Sequence, residues 1–189
     1  MKLVHATLRT CIAAFVLALV VAGSARAEEK IWHVKAIHPE GKLLDVKAID
    51  KKGKIYAVKV IQNGDVHLMD VKALVDGKRY PVKLVAGAGD KMPSLKAIAD
   101  DGTLLPIYAI ASDGQHLDIR GVRRSGNIIA IKAIGPKGEL YGVKAIAPEG
   151  WVFDIKGVRL NAAGAEGKVN GVDFEAHVKA LPQAPENWN

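Results

Sequence analysis

Eleven basic residues recur in this chain at nearly equal intervals, each directly after a valine, isoleucine or leucine: Lys35, Lys47, Lys59, Lys72, Lys83, Lys96, Arg120, Lys132, Lys144, Lys156 and Lys179. Tyr108 holds the same place in a twelfth position. Ammonium and guanidinium groups at fixed spacing can receive phosphate, sulfate or carboxylate, or can be absorbed into a lattice of ion pairs on a solvated face. Acids do not balance them one for one. Asp stands two residues ahead of the basic position only at 45, 70, 118 and 154. The surplus makes the band a candidate surface for an anionic partner, with a solvated face tied by cross-strand ion pairs as the alternative.

Catalysis needs unlike groups gathered in one place, whereas this pattern repeats like groups at equal intervals. GxSxG, HExxH and phosphate-loop motifs are missing, and the only cysteine is Cys11. No enzyme and no cofactor are expected. His33, His38, His67 and His116 are dispersed, while His33 and His177 share the Asp position of the first and last copies. They read as surface imidazoles, and no metal site is assigned.

The elements that must carry this band are repeats. From Val34 the chain reads VKAIHPEGKLLD, VKAIDKKGKIYA and onward in units of about 12 residues through IKGV at Ile155, and HVKAL at His177 echoes HVKAI at His33 after a Gly/Ala-rich insertion. Each unit holds a short alternating run rich in β-branched residues, which predicts a strand. Glycines at 41, 53, 64, 77, 89, 102, 114, 126, 138 and 150 punctuate the strands, in contexts that suit a type I turn closed by a left-handed glycine. The expected fold is all-β, an antiparallel meander of about twelve short strands. Alternation puts Leu44, Val46, Ala48, Tyr56, Val58, Val71, Tyr141 and Val143 on one buried face, the candidate apolar lumen, and the basic band on the other.

Pairing across His38–Gly41 sets Lys35 opposite Asp45 and Ile37 opposite Leu43. The same rule at the next turn sets Asp45 opposite Lys59, with consecutive lysines on diagonals. The matching HVKA segments suggest that first and last strands meet and close the sheet into a barrel, removing its edges. Twelve strands enclose more space than Val, Ala and Leu fill in a regular barrel, so a ligand or a flattened cross-section is expected. Short strands with mid-strand lysines speak against a membrane-spanning barrel.

Residues 1–27 read as a cleavable signal peptide: Lys2 and Arg9, an apolar run from Ile12 to Ala22, then Ala25-Arg26-Ala27 as a small-x-small site. The expected organisation is thus a leader over 1–27, a repeat domain over 28–181 and an irregular tail over 182–189, with the protein periplasmic or extracellular. Three of the 27 basic residues lie in the leader, so the remainder carries 24 against 20 acids, a net +4. This balance allows contact with anionic lipid or polysaccharide, and export disfavours nucleic acid.

Repeats of the VKAI-x-x-x-G-x-L-Y-D type resemble those of the β-flower proteins, uncharacterised bacterial chains in which hairpin petals surround a shallow barrel. The resemblance spans Ile31 to Val158 and the final strand. That barrel is similar to tubby-like domains, which bind phospholipid headgroups, so the resemblance implies a shallow petalled barrel with an apolar lumen and a lipid ligand. No site residue carries over. Apolar tips such as Ile37 with Leu43 and Ile49 with Ile55 would stiffen each hairpin or pack on neighbouring ones, or, being close to lysines, would suit peripheral contact with an anionic membrane. The expected function is non-enzymatic binding of a lipid or another apolar or anionic envelope component, with a purely architectural or protein-interaction scaffold as the alternative.

Overall fold

The computed structural model describes residues 29–87, 89–161 and 165–183; the proposed signal peptide and the last six residues lie outside them. The chain forms strands β1 (Lys30–Ile37), β2 (Leu43–Ile49), β3 (Ile55–Gln62), β4 (Met69–Val75), β5 (Lys78–Val85), β6 (Ser94–Ile98), β7 (Leu104–Ile110), β8 (His116–Ser125), β9 (Ile128–Ile134), β10 (Leu140–Ile146), β11 (Val152–Val158), β12 (Gly167–Val169), β13 (Val172–Phe174) and β14 (Ala176–Pro182). All pairings are antiparallel, and twelve strands join one sheet while β12 and β13 form a separate hairpin. β14 runs through Pro182, into the expected tail.

The turns follow local chemistry. Gly41 has φ +88°, its N–H donates to the His38 carbonyl at 2.8 Å, and the His38 N–H donates to the Lys42 carbonyl at 2.9 Å. A β-carbon is disfavoured at that φ, which is why glycine closes each such turn. The same five-residue closure recurs at 50–54, 99–103, 111–115, 135–139 and 147–151.

The sheet closes through junctions. Each of the twelve strands gives one edge to a single partner and divides the other edge between two. β1 faces β3 over residues 30–33 and β2 over residues 35–37; β2 faces β1 over 43–45 and β3 over 47–49. The partner changes at Val34, Val46 and Val58, so the three strands close a triangle. Three more triangles form in the same way: β4 with β5 and β14, β6 with β7 and β8, and β9 with β10 and β11. Six strand pairs then connect them, β1–β10, β2–β7, β3–β4, β5–β6, β8–β9 and β11–β14. Every triangle is joined once to each of the other three, which is the connectivity of a tetrahedron. No strand of the twelve keeps a free edge.

Two register expectations are corrected by this arrangement. Lys35 does face Asp45, but the β2–β3 ladder ends at Lys47, and Lys59 lies opposite Lys72 on one side and His33 on the other. Consecutive basic residues meet face to face, at Lys59–Lys72, Lys83–Lys96 and Arg120–Lys132. The first and last strands do not pair: β1 takes β10, β2 and β3, whereas β14 takes β11, β4 and β5.

The inward faces of all twelve strands form one cluster. Leu44, Val46, Ala48, Tyr56, Val58, Val71 and Val143 are buried members of it, and Tyr141 packs against it, partly buried. The residue after the basic position is alanine in eight copies, and each of these alanines is 0% exposed. A lipid-sized hollow would leave its lining side chains accessible from within. Val34, Val46, Val58, Val71 and Val143 are only 2–4% exposed, so the interior is a packed core that needs no ligand to fill it.

Candidate functional site

The basic residues of the band flank the triangle pivots on the outer face, three positions to a triangle. Around Val34, Val46 and Val58 stand Lys35, Lys47 and Lys59 with Asp45 and His33. Around Val71, Val82 and Val178 stand Lys72, Lys83 and Lys179 with Asp70 and His177. Leu95, Ile107 and Ile119 are ringed by Lys96, Tyr108 and Arg120 with Asp118; Ile131, Val143 and Ile155 by Lys132, Lys144 and Lys156 with Asp154. The four band aspartates are thus distributed one to a junction.

In three junctions this single carboxylate binds two lysines and leaves the third. Asp45 accepts from Lys35 and lies 3.5 Å from Lys47. Asp70 accepts from Lys179 at 2.6 Å and lies 3.5 Å from Lys72. Asp154 accepts from Lys144 and lies 3.1 Å from Lys156. At the third junction Asp118 holds Arg120 at 2.9 Å, with Asp90 at 3.8 Å on its other side. Lys59, Lys83, Lys96 and Lys132 make no ion pair among the described residues.

The electrostatics follow this division. The hydrogen bond from Lys35 holds the Asp45 carboxyl below the usual range. Burial works to raise Asp70 and Asp154, but the ammoniums that contact them outweigh it and hold both low. The unpaired lysines are lowered as well, which for an amine disfavours the charged form. Burial, reinforced by neighbouring basic groups, lowers Lys59, Lys96 and Lys132, and pushes Lys83 down to about 8. A half-buried ammonium without a counter-ion gains most from an anion brought to it.

Junction by junction the surroundings differ. Beside Asp45 and Lys47 the side chains of Leu43 and Ile55, 56% and 54% exposed, line a shallow cleft of about 410 Å³. His33 sits 2.9 Å from Lys59 and His177 sits 2.7 Å from Lys83, so the two histidines occupy equivalent places in two junctions and do not face each other. Among the described residues no group of three His, Cys, Asp or Glu is placed to hold a metal ion. Tyr108, the exception in the band, faces Lys47 across β2–β7 and stacks on His116 with ring centroids 5.3 Å apart.

Sequence reasoning missed the contribution of the insertion between β11 and β14. Its β12–β13 hairpin turns through Asn170 and Gly171, both at positive φ, in the Asn-Gly pattern of a two-residue turn. Phe174 packs with Val85 and Ile98 in a second small core, and the ring lies 4.6 Å from the Lys83 ammonium. Glu166 is buried and accepts the N–H groups of Leu160 and Asn161 at 2.7 and 2.9 Å. The departure of this segment from the repeat was the signal available.

No curated protein and no solved structure matches the chain. Residues 28–181 match a family described as "Family of unknown function (DUF7486)". The match covers the whole of the twelve-strand assembly except Pro182, and the chain belongs to that family.

Proposed function

We propose that this chain is an exported, non-enzymatic binding protein whose outer face holds anionic envelope components, phospholipid headgroups first among them. The observation that carries this reading is the unequal charge of three of the junctions, three lysines to one Asp, which leaves a half-buried lysine unmatched in each. The packed interior argues against a lipid enclosed by the sheet, so the ligand binds outside. Exposed Leu43 and Ile55 beside Lys47 add an apolar contact at the first junction, as an amphiphile requires. The resemblance of the repeats to β-flower chains, and through them to headgroup-binding tubby-like domains, points to the same ligand class.

Four junctions on a closed body cannot all face one flat surface, so the test addresses one junction at a time. The chain from residue 28 is sedimented with vesicles of phosphatidylglycerol or phosphatidylcholine. Binding to the anionic vesicles alone, weakened by salt, is expected. Lys47→Gln with Lys59→Gln removes about 1 kcal/mol per basic residue near an anionic surface, roughly thirtyfold in partitioning together. Lys132→Gln, at another junction, serves as the comparison. Absence of binding to either vesicle would leave the architectural reading, for which the Asp-centred ion pairs speak.

A further inference from the structure

The junction of β4, β5 and β14 is the one over which the insertion folds, and it carries a chain of groups that its counterparts lack. The Glu166 carboxylate, fixed by the Leu160 and Asn161 N–H groups, has Oε1 3.6 Å from Nε2 of His177. Nδ1 of the same imidazole lies 2.7 Å from the Lys83 ammonium. A carboxylate behind Nε2 favours the proton there, which leaves Nδ1 as an acceptor for a Lys83 proton. Phe174 meets the His177 ring edge-on at 4.9 Å and covers the ammonium at 4.6 Å, excluding water from one side of both.

The other charged groups around Lys83 are Asp70 and Lys72 on β4, Lys179 on β14 and Lys96 opposite on β6. Burial is the main influence on Lys83 and favours the neutral amine; Lys72 and Lys179 reinforce it, while Asp70 and Glu166 oppose it. The junction of β1, β2 and β3 supplies an internal comparison. There Lys59 lies 2.9 Å from His33, but no acid stands within ion-pair reach of that histidine among the described residues.

We propose that Lys83 is a nucleophilic amine that captures an anionic carbonyl compound as an imine, with His177 accepting its proton and Glu166 steadying the imidazole. Lys83 gives one proton to His177 Nδ1, and the freed electron pair attacks the carbonyl carbon. A C–N bond forms as the C=O π pair moves to oxygen, which takes the proton from His177. Loss of water from this carbinolamine leaves a protonated imine, so that an aldehyde and an ammonium become an iminium and one water without any oxidant or reductant. Lys72 and Lys179 favour a carbonyl compound that bears a carboxylate or phosphate.

Glyoxylate is the probe, with cyanoborohydride to trap the imine, on the chain from residue 28; digestion and mass spectrometry locate the adducts. A lysine near 8 has a free-amine fraction at pH 7 on the order of a hundredfold above that of an ordinary one. The expected result is modification of Lys83 at least about tenfold faster than Lys59, Lys51 or Lys52, with a rate that rises through about pH 8. Glu166→Gln slows Lys83 and leaves Lys59 unchanged. His177→Phe, which keeps a ring against Phe174 and removes the proton acceptor, slows Lys83 likewise and replaces Glu166→Gln as the test if that variant unfolds the insertion. Labelling of Lys83 no faster than Lys51 and Lys52, or an unchanged Lys83 rate in a folded His177→Phe protein, overturns the proposal. Vesicle binding is read separately, and neither result decides the other.

Discussion

The packing around Leu84 allows a sharp test of the junction architecture. Leu84 occupies the position that is alanine in eight of the twelve copies, and it is 0% exposed. Gly121 and Gly157 occupy the same position in their own copies. A Cβ on Gly157 would lie 2.7 Å from Leu84 Cδ1 and 3.1 Å from Ile129 Cβ; one on Gly121 would lie 2.8 Å from Ile129 Cγ2 and 3.1 Å from Leu84 Cδ1. One large residue therefore fills space that two small ones leave. Leu84→Ala alone should cost about 4 kcal/mol, because the backbone of a closed sheet cannot collapse into the void. Gly157→Ala alone should cost about 1 to 3 kcal/mol through overpacking against a buried side chain. Combined, they should cost about 2 kcal/mol less than their sum, since the added methyl enters the vacated volume. For a domain of this size about 1 kcal/mol moves Tm by roughly 2 to 4 °C, so the recovery should be about 4 to 8 °C. Thermal and guanidinium melts of the two single variants and the pair measure it. A pair whose loss equals the sum, or exceeds it, would refute the compensation and with it the convergence of these three strands.

Two further outcomes follow from the charges. Asp154→Asn leaves Lys132, Lys144 and Lys156 facing one another without an acid and should cost about 1 to 3 kcal/mol. The folded protein holds this carboxyl low, so its contribution is complete above about pH 4 and is lost as pH falls through the depressed folded value; urea melts from about pH 2 to 6 should show a shallower acid slope in the variant. Lys83 has the same sign in a different pH window: its folded value of about 8 lies below the unfolded one, the unfolded chain binds more protons between them, and stability should rise with pH across that interval. Melts at about pH 7.5 and 9.5 should show this gain, and Lys83→Met should lose it; an equal gain in the variant would contradict the assignment.

What could be read from the sequence was local. A glycine that closes a five-residue turn declares itself, so the hairpin registers at Lys35–Asp45 and Ile37–Leu43 were legible, as was the inward set from Leu44 to Ala48. Partners across junctions were not. Most copies offer nearly the same VKA face, so nothing in Lys59 says whether it will lie beside Asp45, Lys72 or His33; the answer depends on where each strand releases one neighbour at its aliphatic pivot and takes another. The shared HVKA segments looked like two ends that meet, but their likeness reflects equivalent places in two different junctions. Lys83 stood out only after folding, because Glu166 and Phe174 reach it from a segment outside the repeat.

Twelve copies and a tetrahedral connectivity belong together. A tetrahedron has twelve equivalent places for a strand, each with one full partner and two half partners, so one short sequence can satisfy every place. The same equivalence sets basic residues face to face in five of the six connecting pairs, Lys35–Lys144 and Lys156–Lys179 among them. Like charges directly opposite are destabilising, and an all-lysine band would sum that cost over the closed body. A carboxylate in a connecting pair could relieve only that pair, whereas at a junction it reaches lysines from two of its strands, as Asp154 does with Lys144 and Lys156. One Asp per junction is the smallest number that touches all four clusters and still leaves each with a lysine unmatched. A second acid per junction would stabilise the sheet further and cancel the field outside it. The retained charge is therefore a stability forgone at the three junctions that set three lysines around one Asp, and an anion bound there, as proposed above, would return part of it.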